Sequence, residues 1–117
     1  MSSRVWKILA ALIVTALSNG AKAQDITMQG VARSISAHYY VRTVCPTFFK
    51  VDVPMSSKIA ADTLDFGLQT YDPAAFRAAV VAEVPRRGKE VAATGAQPWC
   101  SYQRTAMSSV GLGFLFK

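Results

Sequence analysis

The hexapeptide Tyr71-Asp72-Pro73-Ala74-Ala75-Phe76 decides the fold class of this 117-residue chain, because it predicts where a long helix begins. The Asp72 carboxylate can accept hydrogen bonds from the free amides of a first helical turn, and it lies at the positive end of the helix dipole. Pro73 falls at the first helical position, where a missing N–H is tolerated. We therefore predict a helix over residues 73–84 with Asp72 as its cap, and expect Pro85 to end or kink it.

One apolar stripe on this predicted helix should face the core. Phe76, Val80 and Val84 recur at helical spacing, whereas Arg77 and Glu83 lie off the stripe. Residues 86–94 are expected to form a further helical segment.

Upstream, apolar side chains recur at helical spacing from Gly30 onward, after a loose leader at residues 24–29. Residues 38–44 are rich in strand formers, but the spacing favours a helix. Pro46 predicts a short helical turn. Asp52-Val53-Pro54 predicts a turn of the chain, after which Ser56 or Ser57 caps a second helix that weakens at Gly67.

Downstream, Gln97-Pro98-Trp99-Cys100 opens the last predicted helix, which follows a stop near Gly95. Trp99 and Gln103 share its inner face. The whole pattern predicts an all-α domain of four or five short helices.

The first 23 residues predict a cleavable export signal. Arg4 and Lys7 supply a charged start, residues 8–17 form an apolar run, and Ala21-Lys22-Ala23 offers the small residues that signal peptidase requires. The apolar run would span about 15 Å as a helix, roughly half of a bilayer core, so an uncleaved anchor is the weaker alternative. We expect a single domain at residues 24–117 with its apolar C-terminal tail, a periplasmic or secreted location, and membrane contact only through the signal.

Removal of this segment lowers the net charge from +6 to +3, because ten basic residues then face seven acidic ones. A nucleic-acid-binding surface is therefore not indicated. The basic residues concentrate at Arg86, Arg87 and Lys89. Such a cluster is typical of a solvated helix end, and a docking patch for an acidic partner, anionic lipid or polysaccharide is the alternative.

Two cysteines remain, Cys45 and Cys100. In an oxidising compartment such a pair usually forms a disulfide, which would stabilise a small domain by about 4 kcal/mol in the chain-entropy model. Two separate buried thiols are the alternative. We predict the disulfide as the staple of the helical domain.

The C-terminal tail is unusually apolar. Leu112, Phe114, Leu115 and Phe116 are large apolar side chains within six positions. Such a segment docks on the core, pairs with a partner or stays exposed. We single out these four residues as candidate interaction residues.

Few side chains suit catalysis or metal binding. His38 is the only histidine, which argues against a multi-histidine metal site, and we interpret it as partly buried or as a pH-sensitive surface group. Asp62 and Asp65 have the spacing of a carboxylate pair, but also that of a solvated helix face. Trp99 and Tyr102 suit a core more than an aromatic ligand platform. No metal or cofactor is indicated.

Residues 43–52 read Thr43-Val44-Cys45-Pro46-Thr47-Phe48-Phe49-Lys50-Val51-Asp52. This C-x-x-F-[L/F]-x-V-D string resembles the segment around the first cysteine of the HdeA-type periplasmic acid-stress chaperones. The layout is also similar, since those proteins are short, exported and helical, with one disulfide joining an early helix to a late one. The chain departs from them in its basic charge and in Pro46. The resemblance implies that the protein holds acid-unfolded clients after protonation loosens a dimer.

These observations together favour a small exported non-enzymatic binding protein with a chaperone-like or stress-associated role. The expected partner is another protein, as a partner or client, and a homodimer is a further option. The alternatives are a structural or assembly component of the cell envelope, and a small hydrolase that uses Asp62 and Asp65.

Overall fold

The computed structural model describes residues 27–117, so the predicted export signal lies outside the described part. Four α-helices follow one another there: α1 Met28–Thr43, α2 Val53–Thr70, α3 Pro73–Thr94 and α4 Ala96–Ser109. Single 3₁₀ turns follow α1 at Cys45–Thr47 and α4 at Gly113–Leu115. The predicted all-α class and the number of helices are confirmed.

Three helices begin at side-chain caps. The Asp72 Oδ2 atom accepts from the Ala75 amide at 2.9 Å, as predicted. α2 begins in the same way, because Asp52 Oδ1 accepts from the Met55 amide at 3.1 Å. The expected turn at residues 52–54 is therefore the start of α2 itself, and the prediction that Ser56 or Ser57 caps this helix is wrong. α1 begins at Thr27, so residues 28–29 are helical and do not belong to a loose leader.

α3 runs without a break through Pro85, contrary to the expectation of two segments. Glu83, Arg87 and Val91 lie on both sides of the proline at helical spacing and are all buried. The Tyr40 hydroxyl donates to the Val84 carbonyl at 2.8 Å, one residue before the proline. These contacts attach both halves of α3 to the rest of the fold, although Pro85 lacks the amide donor that would bond the Val81 carbonyl. The buried position of Glu83 also corrects its assignment to the outer face.

α1 packs against both α2 and α3 and organises the core. One apolar cluster surrounds the Cys45–Cys100 disulfide, whose Cα atoms are 5.5 Å apart. The predicted staple between the end of α1 and the start of α4 is therefore present. A second cluster centres on the buried ring of Phe76. A Cβ atom on Gly67 would overlap that ring, so Gly67 permits close packing of α2 against Phe76 of α3, and α2 continues past it to Thr70.

Candidate functional site

A buried serine–histidine pair joins α1 to α2. The Nδ1 atom of His38 and the Ser56 Oγ are 2.7 Å apart, and both side chains are fully buried. The expectation of a partly buried or surface histidine is therefore wrong. The spacing resembles that of a nucleophile and its base, but a sealed pair has no surface on which a substrate could bind.

The electrostatics of His38 favour a neutral ring. Burial, together with the nearby positive charge of Arg42, lowers the pKa of His38 to about 3. Its second ring nitrogen, Nε2, is buried and has no hydrogen-bond partner in the described part of the chain. One guanidinium nitrogen of Arg42 is likewise buried without a partner. A proton added to His38 would therefore meet the neighbouring Arg42 cation, and no carboxylate of residues 27–117 contributes to the pKa of this ring.

A network of ion pairs connects α1 to α3. The Glu83 carboxylate is 2.6 Å from Arg86 Nε and 3.8 Å from Arg33 Nε. Arg87 is buried, pairs with Glu90 at 2.6 Å and donates to the Arg33 carbonyl at 3.2 Å. Burial opposes the charge of Glu90, but hydrogen bonds from Arg87 and Trp99 outweigh it and lower the pKa of this carboxyl.

These ion pairs bear on the basic cluster of Arg86, Arg87 and Lys89, for which the sequence left a docking patch as an alternative. Arg87 lies inside the fold, and Arg86 is paired with Glu83. Lys89 is exposed and has no ion pair among residues 27–117, and Arg86 is also exposed although it is paired. The three residues therefore do not form one docking surface, because Arg87 is buried and Arg86 is paired with a carboxylate of the same domain.

The aspartate pair proposed for a hydrolase lies on the outer face of α2. Asp62 forms an ion pair with Lys58 at 3.1 Å, and Asp65 is exposed. Over residues 27–117, no group of three or more His, Cys, Asp or Glu side chains is placed to hold a metal ion. Trp99 is buried and Tyr102 is exposed, so these two residues do not form one aromatic platform.

The C-terminal tail docks largely on the core. Leu112, Leu115 and Phe116 are buried, whereas Phe114 is 48% exposed. The tail is fixed by two main-chain hydrogen bonds, from the Asp52 amide to the Leu115 carbonyl at 2.8 Å and from the Lys117 amide to the Lys50 carbonyl at 2.7 Å. The candidate interaction strip of four residues is therefore corrected to one exposed side chain, because burial of the other three completes the core around the disulfide.

Sequence reasoning missed other exposed apolar residues. Besides Phe114, those with large side chains in the described part are Tyr39, Phe48, Val53, Met55, Val81 and Tyr102. Phe48 lies between α1 and α2, and Val53 and Met55 lie in the first turn of α2. The interrupted helical spacing around Pro46 is the one sequence signal for surface placement there.

None of the described helices has the length and apolar character needed to cross a membrane. Comparison of the chain with family models, curated proteins and solved structures finds no match.

Proposed function

We propose that this protein is a small exported non-enzymatic binding protein that captures partly unfolded client proteins under acid conditions, in the manner of the HdeA-type chaperones that its first cysteine segment resembles. The observation that carries the proposal is His38, a sealed histidine between α1 and α2 with an unpartnered ring nitrogen. A neutral His38 suits the closed fold, and a protonated one does not.

Protonation of His38 would weaken the contact between α1 and α2. The Ser56 hydroxyl can accept from one N–H of the imidazolium, but the second N–H has no acceptor, and Arg42 repels the new charge. A buried charge without a partner is strongly destabilising. Separation of the two helices would expose apolar surface from buried residues such as Val41 of α1.

The disulfide would limit the extent of this opening. It ties the end of α1 to the start of α4 independently of the charge state of any side chain, so the acid form would remain compact while its helices loosen. A disulfide-bonded small helical domain is compatible with an oxidising compartment, which supports the proposal of an exported protein.

The test is protection of an acid-unfolded model protein from aggregation, measured by light scattering over a pH series. We expect no protection at about pH 7, and protection at acid pH values between the unfolded and folded pKa of His38. The variant His38→Asn, which can still bond Ser56 but does not titrate, should need a lower pH for the same protection. Ile59→Val, another change of a buried side chain, is the matched control.

Protection that is equal at neutral and acid pH, or absent at every pH, would contradict the proposal. The hydrolase alternative has no assembled site in this geometry, because Asp62 pairs with Lys58 at the protein surface.

A further inference from the structure

One end of the domain combines exposed apolar side chains with unpaired cations. There the segment after α1 lies antiparallel to the C-terminal tail, with Val51 opposite Phe116. The Phe49 ring packs at 5.8 Å from the Phe116 ring, and the Arg104 guanidinium lies 5.3 Å from the centre of the Phe49 ring. The segments that these contacts bring together carry, on them or directly beside them, six exposed residues, which we call the aromatic–basic patch: Phe48, Lys50, Val53, Arg104, Phe114 and Lys117.

The positive charge of this patch is not neutralised by ion pairs. Within residues 27–117, Lys50, Arg104 and Lys117 form none. The nearby Asp52 carboxylate is engaged at the start of α2, where it accepts from the Met55 amide. Elsewhere on the domain Lys58, Arg86 and Arg87 have carboxylate partners, whereas Arg77 and Lys89 on α3 have none among residues 27–117.

We propose that the aromatic–basic patch docks the folded domain on the surface of an anionic phospholipid bilayer. Lysine and arginine side chains are attracted to anionic headgroups, and aromatic side chains partition into the interface between headgroups and acyl chains. Phe48 and Phe114 are 37% and 48% exposed, so the apolar component is available without unfolding. The proposal extends membrane contact beyond the signal segment, to which the sequence pattern limits it.

This docking is independent of the client binding proposed above, because it uses the closed form at neutral pH. A bilayer fits the patch better than an acidic protein does, since the cations are carried mostly by flexible lysines beside apolar rings. A binding site for an acidic protein typically holds its cations in a fixed arrangement through neighbouring side chains.

The experiment is co-sedimentation with vesicles of phosphatidylcholine alone or mixed with phosphatidylglycerol, at neutral pH. The protein is the chain as processed by its host, with its N terminus defined by mass spectrometry. We expect binding to the mixed vesicles only, and loss of binding at about 1 M salt, where the Debye length falls to about 3 Å.

The double variant Lys50→Gln/Lys117→Gln should lower the partition coefficient about 25-fold, at about fivefold per lysine near an anionic surface. The matched control Arg77→Gln/Lys89→Gln removes the same charge from exposed, unpaired positions on α3 and should retain most of the binding. Phe114→Ala should weaken binding several-fold, whereas Tyr102→Ala, at a similarly exposed aromatic residue, should not.

Three results would overturn the proposal: no binding to mixed vesicles, equal losses in the two double variants, or equal binding to neutral vesicles. Capture of polyglutamate without vesicle binding would assign the patch to an acidic protein. Client protection in acid is measured without lipid, so either proposal can fail while the other stands.

Discussion

Acidification should destabilise the fold through His38. The pKa of this imidazole falls from 6.5 in the unfolded chain to about 3 in the folded protein. Because the unfolded chain binds the proton more readily, the contribution of neutral His38 to stability is complete above pH 6.5 and is lost as the pH falls towards 3. At 1.36 kcal/mol per pKa unit, the full loss is roughly 4–5 kcal/mol. That is comparable to the whole stability of many small domains.

The assay is urea unfolding at a series of pH values, followed by circular dichroism, for the wild-type protein and His38→Asn. The variant should be less stable near neutral pH, because it leaves a cavity, but its stability should fall less steeply with acid. The difference between the two free energies of unfolding isolates His38, since Glu90 and the other carboxylates titrate in both proteins. Ile59→Val provides a control in which a buried side chain changes without a change in titration.

Parallel stability curves for the wild type and His38→Asn would refute the reasoning. Such a result would mean that the imidazole binds its proton equally well in the folded and unfolded states. A curve for Ile59→Val that flattens in the same way would assign the effect to altered packing.

Three further predictions concern the parts that hold the domain together. Asp72→Ala should lower the free energy of unfolding by about 1 kcal/mol through loss of the cap on α3, and an unchanged urea midpoint would show that the carboxylate has no such role. Reduction of the Cys45–Cys100 disulfide should cost about 4 kcal/mol, measured by thermal unfolding with and without reductant, and equal melting temperatures would contradict it. Deletion of residues 112–117 should lower the melting temperature by at least about 15 °C or abolish folding, because three buried apolar side chains contribute roughly 1.5–3 kcal/mol each, and about 1 kcal/mol shifts the melting temperature of so small a domain by roughly 4–8 °C. A deletion variant with wild-type stability would restore the exposed-strip interpretation of the tail.

Local signals account for the features that the sequence predicted correctly. Asp72 followed by Pro73 specifies a helix start through neighbouring atoms alone, and the structure has that cap. The same chemistry caps α2 at Asp52, but Pro54 is compatible both with a turn and with the first turn of a helix, so the local sequence does not decide between them. The disulfide was predictable because the expected domain contains two cysteines that can pair.

Tertiary contacts decide the features that the sequence did not reveal. Arg87 donates to the main chain of Arg33, 54 residues away, and this contact makes an apparent surface cation part of the interior. His38 forms a hydrogen bond with Ser56, which lies 18 residues later on the next helix. The residue pattern of one helix therefore cannot show that these two side chains are buried. The aromatic–basic patch likewise forms only where the two segments meet through the Lys50–Lys117 main-chain hydrogen bond.

The most direct test of the central claim is the titration of His38 itself by NMR, which is unambiguous because the chain has one histidine. The account predicts that the imidazole signals of the folded protein remain those of a neutral ring as the pH falls well below 6.5. They should change to the protonated form only together with the loss of native α1–α2 contacts. Reversible protonation near pH 6.5 in a fully folded domain would contradict the account.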